Sequence, residues 1–367
     1  MTPAPSTETP FARNASLDAA RGILMMLGVV LHTANIYSAG GGWLVWDTER
    51  SSVFDTLAEL IHVFRMPAFF WISGYFCALT FQRNGAGGLL RKRLPRLALP
   101  LIAAWLTLNV SQEIMMAAMR GQDEGDAVLD GVPLFHLWFL VDLLLYIALA
   151  ALLLPLVRPL ADRLGPQLHW LEKLPLILML PALAVFSEAF SVAARATGVA
   201  YEDVFGLTSL FRLASYAPFF IVGIFMYTHT QARETFLKTP LLLIVASLPL
   251  AVLAHHYTRG HGPLIGEAAL GLEYLMIWIS VAAILRVFHA LFRNDNRITR
   301  FLSDAAYSVF LFHHIIVVAL GILLLDYPIG AWTKFLFIAS ASLGLSALLH
   351  IAIIRRNRIA RLLFNGK

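Results

Sequence analysis

Apolar residues along this chain come in long runs, and polar residues are confined largely to short gaps between them. A helix that crosses a bilayer needs about 20 consecutive, mostly apolar residues. About ten stretches meet that requirement: residues 16–38, 54–81, 97–118, 134–157, 174–194, 208–228, 240–257, 267–290, 304–325 and 331–354. The gaps hold turn and charge signals, as in residues 84–88, 121–131, 158–166, 293–300 and 326–330. No internal repeat or low-complexity linker interrupts the pattern. It predicts an all-α polytopic membrane protein of about ten spanning helices. One domain covers residues 16–367, behind a polar, Pro- and Thr-rich tail, residues 1–15, expected to be disordered. The first run is longer than the roughly 7–15-residue core of a signal peptide, so cleavage is not expected.

Composition sharpens the class. Hydrophobic residues make up 59% of the 367 and charged residues 14%, against about half and about a quarter in soluble domains. Mean hydropathy is +0.72. These values exclude a soluble enzyme, a disordered chain and a nucleic-acid binder. The net charge of +5 is informative through its distribution. With the N-terminus in the cytoplasm, the outer loops receive only Arg50, Arg120, Arg195, Arg259 and Lys334, together with the acidic stretch Asp123, Glu124, Asp126 and Asp130. Nearly all other Lys and Arg residues gather on the inner side, which predicts both termini in the cytoplasm. The single cysteine, Cys77, removes any disulfide framework and reads as a small buried hydrophobe.

Ionisable groups inside spanning segments are costly and mark function by default. In the first run, Asp18, Arg21, Met25, Gly28 and His32 are spaced three and four apart, on one helical face. Arg21 and His32 are then about 16 Å apart along the helix axis, with Gly28 expected to leave open space below His32. The bland readings are an interfacial arginine and a hydrogen-bonded structural histidine. The second run opens with Glu59, His62 and Arg65, and the fourth with His136-Leu137-Trp138-Phe139-Leu140 and then Asp142. The ninth carries Asp304, Tyr307, Ser308 and the adjacent pair His313-His314, of which one is expected to face a cavity. No histidine pair with a carboxylate has metal-ligand spacing, so no metal is expected. His255, His256 and His261 fall in an outer loop and read as solvated. Arg91, Lys92, Arg93 and Arg96 follow the second run, either as the inner charge signal itself or as a phosphate-binding patch.

Several of these segments together resemble the membrane acyltransferase 3 family. Leu17-Asp18-Ala19-Ala20-Arg21-Gly22 with His32 is similar to its first-helix signature. Phe64-Arg65-Met66, Phe69-Phe70 and Ile72-Ser73-Gly74-Tyr75-Phe76 resemble its second helix, and His136-Leu137-Trp138-Phe139-Leu140 resembles a further family segment. The likeness is strongest in the first, second and fourth runs.

The resemblance implies an enzyme of the bacterial inner membrane. It would move an acyl group, succinyl or acetyl, from cytoplasmic acyl-CoA to an extracytoplasmic glycan hydroxyl, with a periplasmic glucan first among acceptors. Arg21, with Arg91, Lys92, Arg93 or Arg96, would bind the CoA phosphates, and Gly28 would let the pantetheine arm pass. His32 would be the general base, or would carry the acyl group. Glu59, His62, Arg65 and His136 would assemble around the outer mouth, joined by one of His313 and His314. Arg65 would hold the oxyanion or a succinyl carboxylate, and Asp142 or Glu59 would orient a histidine. The competing class is a transporter of an anionic lipid, acid or glycan. Transporters commonly carry inverted repeats, and this chain shows none.

Overall fold

The computed structural model describes residues 14–258 and 263–366. The expected tail lies outside them except for Asn14 and Ala15, as does His261. Asn14 caps the first helix, α1 (Ala15–Ile36), its side chain accepting from the Leu17 amide at 3.1 Å.

All ten apolar runs lie on helix. They map to α1, both arms of α2 (Ser52–Ala104), α3 (Val110–Arg120), α5 (Trp138–Leu168), α6 (Leu176–Ala196), α7 (Leu210–Thr228), α9 (Leu243–Thr258), α10 (Pro263–Leu291), α11 (Arg297–Leu324) and α12 (Ala331–Leu349). Short helices α4 (Glu124–Leu129) and α8 (Thr230–Phe236) lie in the connections, and α13 (Arg358–Asn365) follows the last long helix. Among the described residues, eight helical stretches are long and apolar enough to cross a membrane, and Leu243–His256 is a shorter apolar one. The longest stretch, Ser52–Arg120, contains two of the runs. The division that the sequence puts at residues 84–88 is a single residue, Gly85, at φ 64° and ψ −175°. Side chains rarely tolerate that conformation. The two arms meet beyond it, where Arg93 donates to the Phe76 carbonyl at 3.0 Å and to Thr80 Oγ1 at 2.8 Å.

The bundle shows apolar side chains on its outer surface as well as in its core. Leu149, Leu152, Leu153, Leu156 and Leu160 of α5 are all exposed, an apolar surface far too continuous for water. Within the bundle, α1 packs on α11, α2 on α7 and α5, and α9 on α10. The α2–α7 contact is backbone to backbone. A β-carbon on Gly74 would strike the Phe220 carbonyl, and one on Gly223 would strike that of Trp71. Apolar surface gains little from leaving lipid, so close approach through small residues drives such contacts.

The connection between α1 and α2, residues 37–51, is tied down rather than loose. Asp55 accepts from Ser38 and from the amides of Ala39 and Gly40. Asp47 forms a buried ion pair with Lys334 of α12 at 2.7 Å, and Glu49 accepts from the Ala331 amide at 2.8 Å. A two-stranded hairpin, β1 (Asp203–Val204) and β2 (Thr208–Ser209), pairs Asp203 with Ser209 and Val204 with Thr208. It is fastened to α5 by Thr208, which donates to Asp142 at 2.7 Å.

The packing makes a prediction. Gly74→Ala and Gly223→Ala should each destabilise the detergent-solubilised protein by about 1–3 kcal/mol. Gly344→Ala on α12, where nothing lies within 4 Å of the added carbon, should be neutral or slightly stabilising. Thermal unfolding of the three variants checks this, and equal midpoints would contradict the contact.

Candidate active site

Four helices bring their polar residues to one point beside Gly28. A β-carbon on Gly28 would lie 2.8 Å from an Arg65 guanidinium nitrogen and 3.3 Å from His313 Nε2. The room that glycine leaves is therefore taken by Arg65 of α2 and His313 of α11, and it is not the open space expected from the sequence. Around this point His32 of α1 lies 5.4 Å from His313 and 4.7 Å from His314, ring centre to ring centre. His136, in a single 3-10 turn before α5, stacks on His314 at 4.5 Å and meets His313 at 5.3 Å. Both histidines of the adjacent pair thus join the cluster. His314 lines the cavity there, and His313 packs behind the rings of His32 and His136.

Two of the imidazoles are held by their Nδ1 atoms. That of His313 lies 2.6 Å from the Phe310 carbonyl and 3.1 Å from that of Val309, so Nδ1 carries the proton. That of His314 lies 2.7 Å from Gln112 Oε1 of α3. The other polar atoms are left without such anchors. His32 Nδ1, both ring nitrogens of His136, Arg65 Nε and His313 Nε2 are buried without a hydrogen-bonding partner among the described residues. Leaving a buried group unpaired costs about 1–3 kcal/mol each. Their concentration at one place is the strongest structural mark of a site that works on a polar ligand.

A cavity of about 200 Å³ opens on this cluster, lined by His32, Arg65, His136 and His314 together with Trp43, Leu44, Phe135 and Trp138. Trp43, from the tied-down connection, stacks on His32 at 5.7 Å and 18° between planes. Phe135 takes φ 44°, a conformation that bulky residues rarely adopt. The segment before it is clamped, with Trp105 Nε1 donating to the Val132 carbonyl and Asn109 Nδ2 to that of Pro133, both at 2.9 Å. Trp105–Asn109 form a π-helical bulge between α2 and α3, a distortion frequent beside functional sites.

A second cavity, of about 140 Å³, lies toward the start of α1. Arg21, Arg93 and Arg96 line it, with Cys77, Ser303, Tyr307 and Asn365. Met25, Phe69 and Phe139 line both cavities. Arg21 contacts Asp18 at 3.3 Å and Ser303 at 3.1 Å, and its guanidinium lies 5.5 Å from the Phe76 ring centre. The expected face of α1 is thus real, with Arg21 at one cavity, Met25 between and His32 at the other.

Other expected members lie apart. Arg91 is exposed and Lys92 donates to Asn84 at 2.7 Å, so only Arg93 and Arg96 of the basic run reach the second cavity. His62 is exposed on α2 and lines neither cavity. Glu59 meets His256 of α9 at 3.5 Å and lines neither cavity. His255 and His256 sit in the last turn of α9 rather than in a loop, and His255 bonds Glu273 at 2.9 Å. Asp142 orients no histidine. Its oxygens are taken by Thr208 and, at 3.1 Å, by Arg212, whose guanidinium lies 5.0 Å from the Trp138 ring centre. Gln112 holds that orienting position instead. With Glu113 it forms a polar pair inside an apolar run, a signal of the same kind as those of the other helices. Trp43 left no such signal, because a tryptophan in a connection has no period to betray it.

Long apolar helices enclosing a buried histidine–arginine cluster, with one cavity opening on it and a second beside it, define a multi-pass membrane protein with a polar cluster in its interior. The sequence profile of the acyltransferase domain matches residues 14–351, and the chain belongs to the acyltransferase 3 family. It is similar to the glucans biosynthesis protein C of Shigella dysenteriae serotype 1 and of Escherichia coli K12, each 25% identical over 380 residues, covering 98% of this chain and 96% of the relative. No solved structure matches it.

The anchor on His314 can be tested through acyl transfer. Gln112→Leu should lower turnover by about 10²-fold, the scale of a small misplacement of a reacting group, while costing no more stability than one unpaired buried group, about 1–3 kcal/mol. Wild-type turnover in that variant would remove Gln112 from the site.

Proposed function

We propose that the chain is an O-acyltransferase of the bacterial inner membrane with ten spanning helices and both termini in the cytoplasm. It moves an acyl group, succinyl first and acetyl second, from cytoplasmic acyl-CoA to a hydroxyl of an extracytoplasmic glycan, a periplasmic glucan. The observation that carries this reading is a pair of neighbouring cavities that share Met25, Phe69 and Phe139 as lining, one with Arg21, Arg93 and Arg96 and the other with Arg65 and three histidines. The donor is long, with anionic phosphates at one end and a thioester at the other, and it fits a path polarised in that way. The polarity of the path also agrees with the basic residues gathered around the start of α1.

In this reading Arg21, Arg93 and Arg96 bind the CoA phosphates by charge-assisted hydrogen bonds, and the arm passes Met25 and Phe139 rather than Gly28. The acceptor hydroxyl enters between Trp43 and Trp138. His32 takes its proton as the oxygen attacks the thioester carbonyl. Arg65 stabilises the tetrahedral oxyanion. Collapse breaks the carbon–sulfur bond, forms the ester, and releases the CoA thiolate, to which His32 returns the proton. His136, His313 and His314 enclose the reacting centre and keep bulk water from competing as acceptor. The names of the relatives support a glucan acceptor, and the aromatic walls of the mouth suit the faces of sugar rings.

Kinetics of single variants and mass spectrometry of envelope glycans test this. His32→Ala should lower acyl-CoA-dependent acceptor modification by about 10²–10⁴-fold in a protein that still folds, whereas wild-type turnover would eliminate His32 as the base. Arg21→Ala and Arg93→Ala should raise the donor KM about tenfold or more, from loss of a hydrogen bond to a charged group. Trp43→Ala should instead raise the acceptor KM about three- to tenfold, in the range of a lost ring contact. Mass spectrometry of envelope glycans with and without the protein reads donor and acceptor together, and the absence of any acyl increment would overturn both.

A further inference from the structure

The C-terminal helix α13 has two faces, and only one of them packs on the protein. Asn365 is buried and its Nδ2 donates to the Asp304 carbonyl at 3.4 Å. Phe364 meets Phe312 of α11 at 5.1 Å between ring centres. Gly366 ends the helix at φ 64°, and a β-carbon there would lie 2.5 Å from the Arg96 Cα and 2.7 Å from its carbonyl oxygen. Only glycine allows that approach. The helix therefore ends flush against the second arm of α2. Asn365 is itself part of the second cavity's wall, beside Arg21, Arg93 and Arg96.

The opposite face looks away from the protein. Ile359, Leu362 and Leu363 are 69%, 46% and 37% exposed, and helical spacing puts them on one arc. Arg355, Arg356, Arg358 and Arg361 are exposed around them, and residues 355–366 contain no acidic side chain. The segment follows directly on Ala331–Ile354, a helix long and apolar enough to cross a membrane. Exposed aliphatic side chains bordered by arginines at the end of a spanning helix match the make-up of a helix lying in the headgroup layer. The charge complements anionic lipid, each basic residue near such a surface strengthening attraction about fivefold.

We propose that α13 is an interfacial helix that docks on the anionic lipid headgroups of the leaflet surrounding the start of α1, and that this docking holds the wall of the second cavity. The coupling half rests on the assignment of that cavity to acyl-CoA, whereas the docking half stands without it. Neutralising the arginines should loosen α13, free Asn365 from the wall and weaken donor binding, while the acceptor mouth at Trp43 is untouched.

The test uses the full chain in phosphatidylcholine bilayers, with or without phosphatidylglycerol. An environment-sensitive label on Leu362→Cys, in a Cys77→Ser background, reads depth. The label should be shielded from water with phosphatidylglycerol, and exposed after Arg355, Arg356, Arg358 and Arg361 are all changed to Gln. In the chain with Cys77 intact, the same four changes should raise the donor KM at least about fivefold with phosphatidylglycerol and leave the acceptor KM alone. Wild type in pure phosphatidylcholine should show the same rise. A water-exposed label at Leu362 in the anionic bilayer overturns the docking. An equal donor KM rise in both bilayers means that the arginines touch the donor itself, and overturns the lipid role. A wild-type chain that turns over no acyl-CoA in either bilayer sinks the reading of the cavity, and the label still decides the docking.

Discussion

Everything at the centre of this protein depends on the absence of a side chain at Gly28. An arginine and four histidines are costly inside an apolar bundle, and they are affordable only if they gather where they can share a ligand and one another. Arg65 and His313 both reach the space above Gly28, so α1, α2 and α11 can lie close enough for His32, His136 and His314 to complete the cluster. A larger residue there would separate the guanidinium from the imidazoles. The glycine is thus a packing device for the site, which is a different role from a passage for substrate.

Two kinds of support hold the cluster in register. Backbone carbonyls of α11 fix His313 and the Gln112 amide fixes His314, so both rings present Nε2 inward without relying on a carboxylate. The outer wall is fixed from the other side by connections that are hydrogen-bonded like regular structure. The buried Asp47–Lys334 pair holds the segment bearing Trp43, and Trp105 and Asn109 hold the segment leading to Phe135. The positive φ of Phe135 is kept by those clamps, as backbone strain is elsewhere kept by its surroundings.

Much of the fold was legible because a bilayer imposes a simple rule on sequence. Each apolar run became helix, and even the signal at residues 84–88 resolved to one glycine. The face Arg21, Met25, His32 was legible for the same reason, since helical period alone puts these residues in line. Glu59, His62, Arg91, Lys92 and Asp142 were equally conspicuous as ionisable groups, yet they line neither cavity. Glu59 pairs with His256, Lys92 with Asn84, and Asp142 with Thr208 and Arg212. A charge in an apolar run announces that it must be satisfied, but not by whom.

The sequence by itself determined that this is an all-α membrane protein, where its helices lie, and which family it belongs to, because hydropathy and local motifs are properties of neighbouring residues. Only the tertiary structure decided which polar residues meet. It paired Arg65 with Gly28 and His313, gave His314 to Gln112, and brought Trp43 from a connection onto His32. It also set Asn365, near the very end of the chain, in one wall with Arg21 near its beginning. Such contacts join helices that are distant in sequence, and no local pattern records them.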